Sequence, residues 1–241
     1  MTRVSRIAAS VKEAYEIVEN VMLKKIFLSI AIALCFVSSV IAVELSPIKL
    51  LPPDLKGGKS LMQSLQERQT SRSFSTKKLP IEVLSNLMWA ACGINRPDSG
   101  KRTAPSARNW QEIDVYVAME EGLYLYKAKD HVLEPVLKKD LRKDTTAFLQ
   151  PSRSSVANAP LQLIYVADYA KMSLDTNDED KKIYSSADTG FISQNIYLYC
   201  ASVGLATGVR GMVDRNALAK EMKLRDQQKV VLVQAVGFPA E

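Results

Sequence analysis

Two stretches of this chain, Leu161–Ala167 and Val230–Val236, are nearly unbroken runs of apolar residues. A strand with one wet face alternates apolar and polar side chains, so a run without alternation has to be covered on both sides. Pro160 opens the first run, and Gly237-Phe238-Pro239 stops the second. Both therefore read as buried strands, and the chain needs helices to cover them. Helical patterns supply that cover. Leu61, Met62 and Leu65 follow Ser60, and Glu67-Arg68 close that short pattern. After Pro80, residues Ile81, Leu84, Leu87, Met88 and Ala91 recur at helical spacing and end at Gly93. The longest pattern runs from Lys181 to Val203 and ends at Gly204, and Asp214 caps a shorter one containing Leu218 and Met222. Helices and strands are mixed without strict alternation, which gives an α+β fold class, a sheet covered by helices.

The remaining segments follow from local chemistry. Ile113, Val115 and Val117 form a strand, Glu121-Gly122 turns the chain, and Leu123–Tyr126 returns as a hairpin partner. Ala206–Gly211 reads as a short strand among glycines, residues 94–111 as a polar loop, and Asp140–Leu149 as a helix ending in the Gln150-Pro151-Ser152 loop. Asp168–Lys182, rich in Asp, Lys and Asn, is a candidate lid.

The N-terminal part divides further. Lys24-Lys25 precede an uncharged apolar run and small residues up to Ala42, the three-part pattern of a secretory signal peptide over residues 22–42. The alternative is a membrane anchor formed by residues 26–43, which lie near the lower length limit for spanning. Residues 1–21 read as a non-translated or disordered extension, and 43–59, with three prolines and Gly57-Gly58, as an extended arm. Residues 60–241 form the domain, which is expected outside the cytoplasm, periplasmic or secreted. Any membrane contact is through an uncleaved leader.

Charge and composition narrow the chemistry. Lys and Arg number 32 against 26 Asp and Glu, a mild excess of +6 that does not suit a nucleic-acid partner. One histidine and three cysteines do not build a four-ligand zinc site or a disulfide framework. Cys92 and Cys200 can pair in an oxidising compartment, but both lie in apolar helical patterns, which favours buried free thiols. His131, in a segment rich in Lys and Asp, reads as a solvated surface residue. Redox or group-transfer chemistry here would use a borrowed cofactor, with no catalytic side chain and no metal.

Three constellations could hold one. Arg68-Gln69-Thr70-Ser71-Arg72-Ser73-Phe74 packs two arginines and three hydroxyls together, a set suited to phosphate, although such composition also makes ordinary solvated linkers. Pro105-Ser106 and Asn109, inside Thr103–Gln111, can offer turn amides and a side-chain amide to a planar heterocycle, or simply turn the chain before a strand. Gly204–Asp214 carries glycines that let a backbone approach a flat ligand, or a strand flanked by bends.

Taken in order, Arg-x-[Ser/Thr]-x-Arg-x-Phe, Pro-Ser-x-x-Asn-x-Gln, a long helix with Gln194-Asn195, a glycine-bounded strand and a closing Val-Gly-Phe-Pro resemble the FMN-dependent nitroreductase family over about residues 60–239. The resemblance implies a nitroreductase-like fold with a central, mainly antiparallel sheet, and a homodimer with FMN in two clefts built from both chains. It implies that Arg68, Gln69 and Thr70 hold the phosphate and ribityl end of FMN, and that Arg72 sits by the pyrimidine edge. Pro105, Ser106 and Asn109 would reach the flavin, Gln150 would lie near the ring, and the Arg210-Gly211 backbone would face N5. Asp188–Tyr199 resembles the dimer-forming helix. Arg108 stands where glycine is frequent, and Glu241 ends the chain without the basic tail of many members, for which a looser phosphate grip is expected.

The activity so implied is a ping-pong, two-electron reduction of a nitroaromatic, quinone or similar small acceptor, with NAD(P)H a candidate donor. Alternatives are a flavin-dependent oxidase or dehydrogenase acting on a small molecule or peptide heterocycle, and an envelope flavin-binding or interaction domain without catalysis.

Overall fold

The computed structural model describes residues 12–13, 15–16, 18–26, 44–146 and 151–240, with the side chains of 151–154 left aside. The chain divides into two units, residues 1–43 and 44–241. In the first, the described residues are helical and exposed, and no described helix is long and apolar enough to cross a membrane. The leader reading otherwise falls on residues 27–43, outside the described ones.

The second unit is built on one sheet. One of its inner strands, β7 (Leu161–Asp168), is buried at every position, as its unalternated sequence requires. On one side it pairs with β4 (Ile113–Ala118), and on the other with β9 (Gln228–Gly237). Beyond β4 lie β5 (Leu123–Lys127), β6 (Val132–Leu137) and β1 (Ile48–Lys49); beyond β9 lies β8 (Ala206–Arg210). The order is β1-β6-β5-β4-β7-β9-β8, and every pairing is antiparallel.

Successive residues of β4 and β7 point to opposite faces, and helices close both. On one face Val115, Val117, Leu163 and Tyr165 meet Leu84, Leu87 and Met88 of α2 (Ile81–Cys92) and Ile192 and Ile196 of α3 (Asp178–Val203). On the other, Tyr116, Ile164, Val166 and Val233 meet Leu218 and Met222, in and just after α4 (Arg215–Glu221). Each such side chain taken fully out of water contributes about 1.5–3 kcal/mol. Cys92 and Cys200 are free thiols buried in the first cluster. Burial pushes the Cys92 thiol up to about 11 and the Cys200 thiol higher still, so neither is a ready nucleophile.

Helix ends follow their capping residues. Ser60 caps α1 (Leu61–Glu67) by accepting from Gln63 N, and Asp214 caps α4 by accepting from Ala217 N. α3 begins before the expected Lys181. Asn177 is its cap, and Asp178, Glu179 and Asp180 fill a first turn whose amides favour negative charge. Gly204 ends it in the left-handed region, at φ 74°.

Five expectations change. Residues 94–111 are not simply a loop: β2 (Ile94–Arg96) and β3 (Lys101–Arg102) form a small ribbon around a 3-10 turn at Pro97–Ser99. The expected helix from Asp140 is, among the described residues, only a 3-10 turn at Asp144–Thr146. There Asp140 accepts from Arg142 N at 3.0 Å, and the Thr145 and Thr146 hydroxyls bond back to the carbonyls of Arg142 and Lys143, at 2.7 and 2.8 Å. Side chains that bond their own backbone this closely compete with an α-helix. The arm is more than a tether, because β1 pairs with β6 at the sheet edge and Leu51 N donates to Ser85 Oγ at 2.9 Å. His131 is part of that join rather than a solvated bystander. Its Nε2 bonds Leu51 O at 2.9 Å, and its Nδ1 bonds the Tyr126 hydroxyl at 2.9 Å. Asp168–Lys182 is less uniform than its composition suggests: Asp168 ends β7, Met172 is buried, and α3 begins within the segment.

Candidate functional site

The edge strand β8 organises the first half of the site. The segment after α1 runs beside it, with Ser71 N donating to Thr207 O at 2.8 Å. A Cβ built on Gly208 would lie 2.5 Å from Ser71 O and 3.4 Å from Thr70 Cγ2, so only glycine lets the two backbones approach. Thr70 is fixed from the other side. Its Oγ1 lies 3.0 Å from the Tyr197 hydroxyl, which also accepts from Val209 N at 2.9 Å. The Arg68 guanidinium stands over the Tyr197 ring, 5.4 Å from its centroid. Phe74, buried and bridged to Pro239, anchors the segment's far end, and Ser155 Oγ donates to Arg72 O at 2.7 Å.

The arginine–hydroxyl motif is therefore a rigid ledge rather than a solvated linker. Arg68 and Arg72 have no carboxylate partner among the described residues, and Arg72 is exposed. Beside the ledge opens a cavity of about 480 Å³ lined by Arg68, Gln69, Ser71, Tyr197 and Leu205, with the Lys59–Glu67 ion pair at its rim. Unpaired guanidinium groups, hydroxyls and a close-approach glycine strand are a donor set that fits the phosphate and polyol of a flavin nucleotide.

Arg210 ends the same strand but turns its side chain inward. Its guanidinium donates to Thr145 O at 2.9 Å and to Gln162 Oε1 at 2.5 Å, while Nε has no partner. Burial lowers its pKa to about 10, so it stays charged near neutral pH. A Cβ on the exposed Gly211 would meet only ordinary contacts, the nearest at 3.6 Å. Nothing in the chain itself requires glycine there, which leaves the open backbone free for a ligand. Arg68, Gln69, Thr70, Arg72, Arg210 and Gly211 thus gather along one strand.

The second half lies elsewhere. Pro105 and Asn109 are exposed, and a 3-10 turn at Ala107–Asn109 carries the chain into β4. Arg108, Asn109 and Gln111 have φ of 48°, 56° and 50°, so three non-glycine residues occupy the left-handed region, at about 1–2 kcal/mol each. Arg108, standing where glycine is frequent, keeps a glycine-like backbone all the same. The turn is pinned by Gln111 N to Ser106 Oγ at 3.0 Å, Trp110 Nε1 to Ser173 Oγ at 3.1 Å, and Ala107 N to Asp188 Oδ2 at 2.9 Å.

Both halves rest on α3, the first at Tyr197 and the second at Asp188. At 1.5 Å per residue these points are about 13 Å apart along the axis. Gln150 lies outside the described residues. Tyr197 and Glu112, a buried acid next to the turn, escaped sequence reasoning. Tyr197 is indistinguishable from core in a helical pattern, and Glu112 meets its partner only through the fold.

Comparison with known proteins agrees with this architecture. Residues 65–238 match the nitroreductase family. A Methanocaldococcus jannaschii protein bearing the nitroreductase name is 27% identical over 195 residues, 78% of this chain and 96% of its own. The crystal structure of a Ralstonia eutropha protein with the same name superposes with a TM-score of 0.75 at 39% identity, covering 82% of this chain and 91% of that one. A chain of an Escherichia coli microcin synthetase complex reaches a TM-score of 0.63 at 20% identity, covering 80% and 79%, which shows the fold alone. Fold and ledge together define an oxidoreductase scaffold. The chain belongs to the nitroreductase family.

Proposed function

We propose that this protein binds FMN and catalyses two-electron reduction of a nitroaromatic, quinone or similar small acceptor, with NAD(P)H as the candidate donor. The observation that carries the reading is the pair of guanidinium groups, Arg68 and Arg72, that have no carboxylate partner among the described residues, on a ledge held against the glycine strand. Arg68, Gln69 and Thr70 would hold the phosphate and ribityl end, Arg72 the pyrimidine edge, and the Arg210-Gly211 backbone the central ring. Bound there, the flavin supplies two-electron transfer at N5, donor and acceptor taking turns on one face, and no side-chain nucleophile is needed. Pro105, Ser106, Asn109 and Gln150 would come from a second copy, which the exposed apolar side chains Ile183 and Phe191 of α3 support. Export of the domain belongs to the same reading and is supported by the leader pattern of residues 22–42.

The test is visible absorbance. Purified protein should be yellow and should bleach with NADH or NADPH. Replacing Arg68 and Arg72 together by Ala removes two charge-assisted contacts of about 1.5–3 kcal/mol each and should weaken FMN binding about a hundredfold or more. Full retention of flavin in that variant defeats the phosphate assignment, and colourless wild type that stays so with excess FMN defeats the function.

A further inference from the structure

Glu112, at the foot of the Pro105–Asn109 turn, is fully buried, and its backbone carbonyl accepts from Asp168 N at 2.9 Å. Neither carboxyl oxygen meets a donor N–H or O–H among the described residues. What faces it is a second carboxyl, that of Asp188 on α3, also buried. The charged groups around the pair are engaged elsewhere, and Lys171 only partly offsets the rise in the Glu112 pKa. Lys171 is bonded to Asp114 Oδ1 at 2.6 Å, and Asp168 to Arg225 at 2.6 Å. Arg102 lines the small space shared by Ser106, Gln111 and Asp188 without an ion pair among the described residues, and Cys92, lining the same space, keeps its proton.

Two adjacent carboxylates out of water cannot both stay ionised, and one proton between them makes a short, charge-assisted O–H···O⁻ bond. We propose that Glu112 and Asp188 share one proton, and that this proton latches the Pro105–Asn109 turn onto α3, so that losing it loosens the turn and weakens cofactor binding. Asp188 serves both sides of the latch. Its Oδ2 accepts from Ala107 N, and the Glu112 hydroxyl donates to the same carboxylate. Once the proton leaves, repulsion between the two carboxylates pulls on the contact that holds Ala107. The left-handed residues Arg108, Asn109 and Gln111 then give the turn a reason to relax.

Burial first, and then the Asp188 charge, push the Glu112 carboxyl up to about 7. An acid whose folded value is raised above its unfolded one contributes stability that is complete at low pH and lost as pH rises through the folded value. The latch itself does not depend on the flavin reading; its effect on the cofactor does. The experiment is therefore thermal unfolding of the full chain, with and without added FMN, across about pH 5 to 9, in wild type and Glu112→Gln. The glutamine amide still donates to Asp188 but does not titrate. Wild type should lose melting temperature as pH rises through 7, and Glu112→Gln should not. The apparent FMN dissociation constant should rise about tenfold per pH unit above the transition in wild type, and change less than about twofold in the variant. Identical melting profiles overturn the shared proton. Distinct melting profiles with parallel FMN curves overturn the latch. If no FMN binds at any pH, the functional reading falls while the melting profiles still decide the proton. Should Glu112→Gln not fold, Asp188→Asn takes its place: it should move the wild-type transition to lower pH, and an unmoved transition overturns the pair.

Discussion

At position 208 a single methyl group decides whether the ledge can form. The Cβ of an alanine there would sit 2.5 Å from Ser71 O, a backbone atom that cannot swing aside as a side-chain tip would. At Gly211 the same methyl has room, with its nearest contact at 3.6 Å. Gly208→Ala should therefore cost about 1–3 kcal/mol of stability and reduce flavin retention with it. Gly211→Ala should leave the melting temperature within about 1 °C and weaken only the flavin. Melting curves and flavin content of the two purified variants separate them, and equal melting temperatures for Gly208→Ala and wild type refute the packing argument. Legibility at this scale follows residue chemistry. Arg68, Thr70 and Arg72 can be singled out because forks and hydroxyls crowded into a few positions suit one kind of ligand. Glu112 cannot, because an acid before a strand looks solvent-facing until the fold sets Asp188 against it.

Among the elements, the strands that carry continuous apolar sequence are the ones the sequence displays. β7 and β9 announce themselves, and β4 and β5 follow from alternation and a Glu-Gly turn. β6 does not, since Glu134 and Pro135 interrupt it, and proline in a strand ordinarily signals an edge. It is next to one: beyond it only the two residues of β1 pair, at Ile48 with Leu133 and Lys49 with Val132. Joining so short a strand takes extra bonds, and His131 supplies them through Leu51 O and Tyr126. Burial lowers the pKa of His131 below its ordinary 6.5, against a smaller opposing effect of the Leu51 bond. A histidine with a depressed folded value contributes stability present above its unfolded pKa and lost as pH falls through the folded one. Amide exchange protection at Leu50 and Leu51 should accordingly fade on acidification below 6.5, ahead of protection in β7. His131→Ala should cost about 1–2 kcal/mol through its two lost hydrogen bonds and remove that acid sensitivity. Protection at Leu50 that persists at acid pH as firmly as in β7 would disprove the role.

For the whole molecule the question is what completes the cleft. The Arg68–Arg72 ledge is tied to Tyr197, while the 105–109 turn is tied to Asp188, more than two helical turns away. On either side of the Asp188 attachment α3 presents Ile183, Ala187 and Phe191 to solvent at i, i+4 and i+8, one face of the helix, beside the exposed Gly190. Leu61, Met62 and Leu65 of α1 are exposed as well. Apolar side chains aligned along a helix rather than scattered mark an association surface. A second copy related by two-fold symmetry would cover the face and set its own turn opposite this chain's ledge, making two equivalent clefts. Assembly and cofactor binding should then fail together. Phe191→Glu places a charge on that face, where leaving it unpaired on association costs several kcal/mol. The variant should elute as a monomer by light scattering at concentrations where wild type is dimeric, and carry less than about a tenth of the wild-type flavin, one decade corresponding to 1.4 kcal/mol. Its melting temperature without flavin, measured where wild type is also monomeric, should be unchanged, because Phe191 is exposed within its own chain. A monomeric Phe191→Glu protein that keeps its flavin would mean that each cleft is complete within a single chain.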